Sequence, residues 1–317
     1  MNAARRTLGR AGFSVSPLCF GTIPLGRRFG MRPADAASLL RRAYELGVNF
    51  VDTAEIYGNY EAIRLSLAGW SEKVYLATKS YAHDAAGMRA SLERARRDLD
   101  RDRIDLFLLH EIEGEASLRG HGAALDFLLG ARAKGMVGAV GISTHRVEGV
   151  RAACGRAHEI DVVHPLINLD GYGIADGGAR EMAEAIAVAA DLGLGVYAMK
   201  ALAGGHLGVE AARAIDYVRN LPGVCSVAIG LRSEEELLVD LAYCLGTEPP
   251  AAALARVAAC KRRLLVEPWC RGCGRCVPSC PFGALSVEDG LARVRERDCL
   301  VCGYCAGACA DLCLKVV

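Results

Sequence analysis

Residues 270–317 hold nine of the fourteen cysteines of the chain, and most of them fall in two runs with identical spacing. CRGCGRCVPSC spans residues 270–280 and CLVCGYCAGAC spans residues 299–309, and both have the form C-x2-C-x2-C-x3-C. The remaining thiols before residue 270 are scattered singly. Clustered cysteines are typical of disulfide frameworks or metal sites. Nothing in the sequence points to secretion and CxxCxxC triplets suit a metal, so we expect reduced, metal-bound thiols in a separate C-terminal module.

The first run is followed by Pro281, which completes the CxxCxxCxxxCP pattern of bacterial two-cluster ferredoxins. The segment from about residue 266 to residue 317 resembles a dicluster 4Fe-4S ferredoxin domain over its full length. This resemblance implies two 4Fe-4S clusters, each completed by the fourth cysteine of the other run. The implied ligands are Cys270, Cys273, Cys276 and Cys309 for one cluster, and Cys299, Cys302, Cys305 and Cys280 for the other.

Two features of the cysteine pattern leave alternatives open. Ala310 stands where the second run would have its proline, and Cys313 is a spare candidate for the fourth ligand in place of Cys309. Zinc is the competing metal, but a third cysteine at x2 and a fourth at x3, in both runs, is hard to use in a tetrahedral site. Between the runs, ALSVEDGLARV alternates apolar and polar residues around Asp289-Gly290, which predicts a hairpin with a type I′ turn.

The preceding 265 residues alternate short apolar runs with longer amphipathic stretches. Eight runs read as buried parallel strands: 18–22, 49–54, 74–79, 105–110, 137–144, 162–168, 195–200 and 226–230. Helical stretches such as PADAASLLRRAYELG (33–47) and EMAEAIAVAADLG (181–193) lie between them. Eight β-α units in about 250 residues favour a closed (β/α)8 barrel over an open sheet. TLGRAGFSVSP, at 7–17, is too short for a unit and predicts a hairpin under the barrel.

The predicted fold class is therefore α/β, a (β/α)8 TIM barrel with a small C-terminal α+β ferredoxin-like domain. We place the barrel at residues 1–262 and the dicluster domain at residues 263–317. Lys261, Arg262 and Arg263 form a short connection, so the module should pack against the barrel.

Polar residues follow three consecutive predicted strands, at the end of a barrel where chemistry is found. Asp52 ends the second strand and leads to Tyr57, Lys79 ends the third, and His110 ends the fourth. These residues resemble the catalytic tetrad of aldo-keto reductases. The sequences GVNFVDTAEIYGNYE, VYLATK, DLFLLHE, GAVGISTH and LGRAGFSVSPLCFGT also resemble that family, over nearly all of residues 6–245. The resemblance implies that Tyr57 donates a proton to a carbonyl oxygen while a nicotinamide delivers hydride to the carbon.

Elementary chemistry is consistent with those roles. A phenol with a pKa of about 10 acts well near neutral pH when its anion is stabilised. We expect the Lys79 ammonium to lower the pKa of Tyr57, Asp52 to hold that ammonium, and His110 to hydrogen-bond the substrate oxygen. The alternative is an Asp-Lys ion pair at the barrel mouth beside a core tyrosine.

The implied cofactor contacts depart from the family pattern in several places. Ser143 lies where the family's carboxamide-binding serine lies, but Thr144 stands where asparagine is usual and His164 where glutamine is usual. Met199 replaces the aromatic residue that stacks on nicotinamide in many members, and a thioether also packs against a ring face.

The segment IGLRSEEELLVD (229–240) resembles the family's adenosine-phosphate loop, with Arg232 as the natural phosphate ligand. Asp240 and Val239 depart from the expected Glu-Asn pair. The acidic residues 234–236 either crowd a phosphate with like charge or begin a helix, because acidic side chains favour first turns. The choice between NADP and NAD stays open on these residues.

The composition limits the partners. The formal net charge is +1 with acids and bases intermixed, which indicates neither nucleic-acid binding nor a polybasic membrane surface. The N-terminal residues contain arginines without an apolar run, and Asp191 and Lys200 interrupt the most apolar internal stretch. We therefore expect a cytoplasmic protein that acts on a small carbonyl or alcohol substrate and exchanges electrons with a carrier protein.

Two hypotheses of function follow from the sequence. The first is an aldo-keto reductase whose clusters serve coupled electron transfer. The second is an iron-sulfur electron-transfer protein whose barrel is a docking scaffold or a non-redox acid-base catalyst without nicotinamide. A metal-dependent hydrolase that uses His110 and His164 is a distant third. A cluster passes one electron and a nicotinamide passes a hydride, so coupling normally needs a flavin or a radical-forming substrate, and no flavin site is legible.

Overall fold

The computed structural model of the chain describes residues 5–25 and 31–317. Residues 1–4 and 26–30, which fall within the predicted barrel domain, lie outside the described residues. Eight parallel strands close into a barrel. They are β3 (Leu18–Gly21), β4 (Phe50–Asp52), β5 (Tyr75–Ser80), β6 (Ile104–Leu109), β7 (Val137–Thr144), β8 (Val162–Pro165), β9 (Gly195–Met199) and β10 (Val224–Gly230). All eight predicted strands, and the (β/α)8 class, are confirmed.

Helices cover the outer face of the barrel, and their apolar sides pack on strands that are themselves almost wholly buried. They are α1 (Pro33–Glu45), α2 (Tyr60–Leu67), α3 (Ala85–Leu99), α4 (Glu115–Gly120), α5 (Gly122–Ala133), α6 (Val147–Gly155), α7 (Ala179–Asp191), α8 (Ala211–Arg219), α9 (Glu234–Leu245) and α10 (Ala251–Ala259). Strands covered by helices outside and filled inside need apolar side chains on both faces, which explains their continuous apolar runs. In the part of the chain that the structure describes, no helix is long and apolar enough to span a membrane.

The predicted N-terminal hairpin closes the bottom of the barrel. Strands β1 (Arg6–Leu8) and β2 (Phe13–Val15) pair antiparallel. Leu8, Phe13 and Val15 pack in one cluster with side chains from the barrel interior. The hairpin therefore fills the lower end, and the open end is the one where the strands finish.

The C-terminal module contains two small antiparallel pairs and one short helix, α11 (Tyr304–Gly307). Strands β12 (Leu285–Glu288) and β13 (Leu291–Val294) form the predicted hairpin. Asp289 and Gly290 at its turn both have positive φ, as a type I′ turn requires. Strand β11 (Leu264–Val266) pairs with β14 (Leu314–Val316), so the two ends of the module meet beside the barrel.

The module packs on the open end of the barrel, through the loop that follows β9. His206 Nε2 lies 3.0 Å from the carbonyl oxygen of Leu314 in β14. Gly205 has a φ of 93°, and a Cβ there would collide with the backbone of Val316. A glycine is therefore needed at this crossing, because no side chain fits between the loop and the strand. The expectation that the module packs against the barrel is confirmed, and the contact lies at the strand ends.

Candidate active site and cluster centres

The structure brings the four predicted catalytic residues to one side of the barrel mouth. Asp52 ends β4, Lys79 lies in β5, and His110 follows β6. Tyr57 lies in a short 3-10 turn, Glu55–Tyr57, after β4. Adjacent parallel strands end at the same rim, so residues that are far apart in sequence converge there.

The Asp52 carboxylate binds two other side chains of the barrel, one through each oxygen. Its Oδ2 lies 2.7 Å from Lys79 Nζ, and its Oδ1 accepts a 2.8 Å hydrogen bond from the Tyr197 hydroxyl. Lys79 Nζ also donates to the carbonyl oxygen of Thr53 at 2.7 Å and lies 5.0 Å from the ring centroid of Tyr57. Lys79 is only 1% exposed, so its charge is compensated by fixed partners rather than by water. The ammonium is thereby held under the Tyr57 ring.

Burial and charge shift the pKa values of this group in opposite directions. Burial raises the pKa of the Tyr57 hydroxyl more than the Lys79 ammonium lowers it. This corrects the expectation of a lowered pKa. Desolvation destabilises the Tyr57 phenolate more than the Lys79 ammonium stabilises it, because that ammonium is already paired with Asp52. Burial alone lowers the pKa of Lys79, but Asp52 and Tyr57 outweigh it, and the net pKa is raised. Tyr57 is consequently a protonated donor at neutral pH, beside a fixed cation.

His110 is neutral and has an unsatisfied ring nitrogen. Burial and then the Lys79 charge hold the pKa of its imidazole well below the usual range. Among the described residues its buried Nδ1 has no hydrogen-bond partner. The Tyr81 ring stacks on it with centroids 4.2 Å apart, and the Tyr57 ring lies edge-on with centroids 6.3 Å apart. The imidazole is thus oriented by aromatic contacts and has a polar atom to offer a ligand.

The predicted nicotinamide contacts fall into two groups: one lines the large cavity, and the other has hydroxyl groups that are bonded to the backbone. His164 and Met199 line the cavity above the tetrad. His164 stacks on Tyr197 at 3.8 Å between centroids, and its Nδ1 lies 2.7 Å from the Tyr197 carbonyl oxygen. Ser143 and Thr144 are fully buried, and their hydroxyl oxygens accept from the backbone N–H groups of Glu111 and Arg146 at 2.9 and 3.0 Å.

Arg232 lies at the far end of the same cavity, just before α9. The acidic residues 234–236 form the first turn of this helix, which is one of the two interpretations offered by the sequence. Ser233 caps the helix by accepting from the Glu236 N–H at 3.2 Å. Each acidic side chain has its own partner: Glu234 with Arg42 at 2.7 Å, Glu235 with Arg256 at 2.9 Å, and Glu236 with the Arg232 N–H at 2.7 Å. The Arg232 guanidinium is exposed and makes no ion pair with the described residues.

One cavity of about 1570 Å³ connects these places. It runs from the tetrad past Met199 to Arg232, and burial raises the pKa of Asp240 in its wall to about 7. The C-terminal module forms part of its roof. The module contributes Glu267, Trp269, Arg271, Val301, Ala310, Asp311, Lys315, Val316 and Val317. The two parts of the chain therefore share one cavity.

A second, smaller cavity lies inside the module and is lined by four of the predicted ligands. They are Cys270, Cys273, Cys276 and Cys309, the set expected for one cluster. Backbone N–H groups point at three cluster sulfurs: Ala284 at Cys280, Ala292 at Cys270, and Cys313 at Cys309, at 3.2 to 3.4 Å. N–H donors stabilise thiolates and tune iron-sulfur clusters. The donor set thus fits a 4Fe-4S cluster, whereas no three His, Cys, Asp or Glu of the described ranges converge on a single metal ion.

The other predicted ligands also gather, in and around the α11 segment. Cys305 lies in α11 and is buried; burial and then the Cys299 and Cys302 thiols raise its pKa to about 12. Cys280 packs in the same hydrophobic cluster of the module as Cys299 and Cys305. The assignment of Cys299, Cys302, Cys305 and Cys280 to the second cluster stays a prediction.

Cys309 and Cys313 are in contact, since the Cys313 backbone N–H donates to Cys309 Sγ at 3.2 Å. A hydrogen bond from Cys313 lowers the pKa of Cys309 to about 6, and the same contact raises the pKa of Cys313. Cys309 and Cys313 both line the cluster cavity. The lowered pKa of Cys309 favours its thiolate as the fourth ligand, and this choice stays a prediction.

Sequence reasoning missed several residues of the cavity wall. Tyr81, Glu111, His145 and Lys200 follow β5, β6, β7 and β9, where the rule of strand ends applies equally. Tyr197 lies inside the barrel, and only the closed structure shows its bond to Asp52. Lys315 comes from β14, and no pattern in the sequence connects it to the barrel.

The barrel and the tetrad at its rim define a chain of the aldo/keto reductase class. The family model for aldo/keto reductases matches residues 17–255, and that for a 4Fe-4S dicluster domain matches residues 264–310. The chain therefore belongs to the aldo/keto reductase family and carries a C-terminal 4Fe-4S dicluster domain. The dividing point at residues 262/263 stays a prediction.

Named relatives agree with this assignment. A 6-dehydroglucose reductase of Novosphingobium aromaticivorans is 32% identical over 168 residues, 47% of this chain and 54% of its own length. An uncharacterized oxidoreductase of Bacillus subtilis is 29% identical over 276 residues, 80% of this chain and 82% of its own. A putative aldo-keto reductase structure from Pseudomonas aeruginosa covers 78% of this chain and 98% of its own, with 29% identity and a TM-score of 0.67. The chain spans about half the length of the first of these relatives.

Proposed function

We propose that this protein interconverts a carbonyl and an alcohol with a nicotinamide cofactor, in a site built on Asp52, Tyr57, Lys79 and His110. The observation that carries the proposal is the arrangement around the cavity: a protonated Tyr57 beside a buried, paired Lys79, opposite a neutral His110 with an open nitrogen. A carbonyl oxygen between Tyr57 and His110 would accept two hydrogen bonds. General acids placed in this way stabilise the charge that develops on the oxygen.

The cavity fits a dinucleotide. It is long enough to reach from the tetrad to Arg232, and His164 and Met199 flank the end nearest the tetrad. A bound nicotinamide would supply the hydride. Tyr57 would give its hydroxyl proton to the carbonyl oxygen, His110 would orient that oxygen, and Lys79 would stabilise the phenolate left behind. Arg232 would bind a phosphate of the cofactor, and the exposed guanidinium is free of carboxylate partners among the described residues.

The clusters are proposed to exchange single electrons with an electron-carrier protein and with a radical-forming substrate bound in this cavity, because a nicotinamide passes a hydride rather than one electron. The support is position: Arg271, Ala310 and Asp311 line both the large cavity and the cavity of Cys270, Cys273, Cys276 and Cys309. A single layer of residues therefore separates one proposed cluster from the barrel cavity. We assign two clusters with crossed ligation, and a cytoplasmic location that keeps the thiols reduced.

Nicotinamide binding tests the proposal directly. Titration of the anaerobic holoprotein with NADPH and NADH, followed by nucleotide fluorescence, should give saturable binding of at least one of them. Arg232→Met should weaken NADPH binding about tenfold, since a charge-assisted bond to phosphate is lost. The control, Arg97→Met, removes an exposed arginine of α3 that pairs with Asp98. Absence of binding for both nucleotides would leave the iron-sulfur electron-transfer alternative, with the barrel as a scaffold.

A further inference from the structure

Two lysines from different parts of the chain meet in the large cavity. Lys200 follows β9, and Lys315 lies in β14 of the C-terminal module. The Lys315 side chain crosses over Gly204, where a Cβ would lie 3.3 Å from Nζ. Gly204 and Gly205 both have positive φ, so the loop that admits Lys315 depends on glycine. The fold thus makes room for a lysine of the module inside the barrel mouth.

These amines lack a counter-charge. Across residues 5–25 and 31–317, neither amine is within 4.0 Å of a carboxylate oxygen. Lys315 Nζ is buried and has no hydrogen-bond partner within those ranges. Burial lowers the pKa of the Lys200 amine, and the contacts with Lys315 and Glu111 offset this only in part. Unpaired buried cations are costly and are normally compensated by a ligand or partner.

The backbone points to function at the same place. Glu111 and Lys200, at the ends of β6 and β9, have φ values of 57° and 64°, and Ala203 has a φ of 48°. Left-handed conformations are unfavourable for residues with a side chain and cluster at binding and active sites. Lys200 is close enough to the tetrad for its charge to lower the pKa of His110. Both lysines line the same cavity as Tyr57 and His110, where the carbonyl site is proposed.

We propose that Lys200 and Lys315 together bind the carboxylate of a small oxo acid or hydroxy acid. The carbonyl or hydroxyl group of the same molecule would lie between Tyr57 and His110. This inference rests on the proposed function and narrows its substrate class to anionic carbonyl compounds. It also gives the C-terminal module a direct part in the site, because Lys315 completes the anion contact from the strand that follows the last cluster cysteine.

The phosphates of a dinucleotide and the negative charge of a cluster are the other anions available to these lysines, and the test separates the three. The probe is phenylglyoxylate, an aryl oxo acid, against its neutral methyl ester. Calorimetric binding to the anaerobic holoprotein should favour the acid over the ester by about tenfold or more, as a charge-assisted pair predicts. Lys200→Met and Lys315→Met should each remove that preference, and Lys315→Arg should restore most of it.

Lys134→Met, an exposed lysine after α5, is the matched control and should bind both probes as the wild type does. NADPH and NADH affinities and the cluster midpoint potentials should be unchanged in the lysine variants. A selective loss of nucleotide affinity would assign the lysines to the cofactor, and a shifted potential with unchanged acid binding would assign Lys315 to the cluster; either result overturns the proposal. Equal binding of acid and ester to the wild type, or no binding of the acid, also overturns it.

The proposed function is scored separately, by nicotinamide-dependent turnover of the neutral ester. Turnover of the ester without any preference for the acid would retain the reductase and refute the lysine subsite. Selective acid binding that depends on both lysines, without turnover of either compound, would retain the subsite and refute the reductase.

Discussion

Tyr57→Phe should lose roughly a hundred- to ten-thousand-fold in kcat on any carbonyl substrate, because general acid catalysis contributes about that factor. The phenyl ring keeps its contact with Lys79, whose Nζ lies 5.0 Å from the ring centroid of Tyr57. The fold and the nucleotide affinity should therefore be retained. Only the hydroxyl is removed, from a side chain that lines the cavity. Steady-state kinetics and nucleotide titration on the same preparation measure the two effects.

Tyr44→Phe is the matched control for this substitution. The Tyr44 hydroxyl lies 2.9 Å from Ser66 Oγ between α1 and α2, away from the cavity. Its loss should cost roughly 1 kcal/mol of stability and leave kcat unchanged. Lys79→Met should lower kcat as Tyr57→Phe does, and should also destabilise the barrel by about 3–5 kcal/mol because Asp52 is left buried without its cation. Wild-type rates in both site variants would show that the tetrad is not catalytic in this protein.

The second large effect concerns the cluster cysteines. Anaerobically purified protein should be brown and carry about eight iron and eight acid-labile sulfide per chain, as two 4Fe-4S clusters require. Cys273→Ser and Cys302→Ser should each reduce the iron content to about four, because they belong to different ligand sets. The double variant should lose all iron and unfold the module while the barrel stays folded. The module's own core has only seven buried side chains, and domains of about 50 residues rarely fold without support from a metal or disulfides.

Two further cysteines are controls for the cluster experiment. Cys260→Ser alters an exposed thiol before the module and should leave the iron content unchanged. Cys313→Ser should also retain about eight iron per chain if Cys309 is the fourth ligand. Colourless protein with stoichiometric zinc under these conditions would contradict the iron-sulfur assignment.

Local patterns in the sequence were enough to predict the barrel and some of the residues at its rim. Asp52, Lys79 and His110 each end an apolar run, and a parallel barrel brings strand ends together whatever the loops do. The sign of the Tyr57 pKa could not be predicted in this way. It depends on how far burial outweighs one ammonium, which only the packed site determines.

Contacts between the two parts of the chain were beyond the sequence for a different reason. Lys315 reaches the barrel mouth because β14 pairs with β11 and crosses over Gly204 and Gly205. These tertiary contacts produce no hydrophobic periodicity or motif spacing that could be recognised in the sequence. Lys200, by contrast, follows β9 and could have been found by applying the strand-end rule to every strand.

Transfer of deuterium tests the central claim most directly. The holoprotein would be incubated anaerobically with NADPH or NADH deuterated at C4, on one face or the other in separate samples, and with phenylglyoxylate or its methyl ester. The alcohol product would be analysed by mass spectrometry. The account predicts one deuterium on the carbinol carbon, taken from a single face of the nicotinamide, and little product with Tyr57→Phe. Unlabelled alcohol, or no alcohol from protein with intact clusters and bound nucleotide, would contradict it.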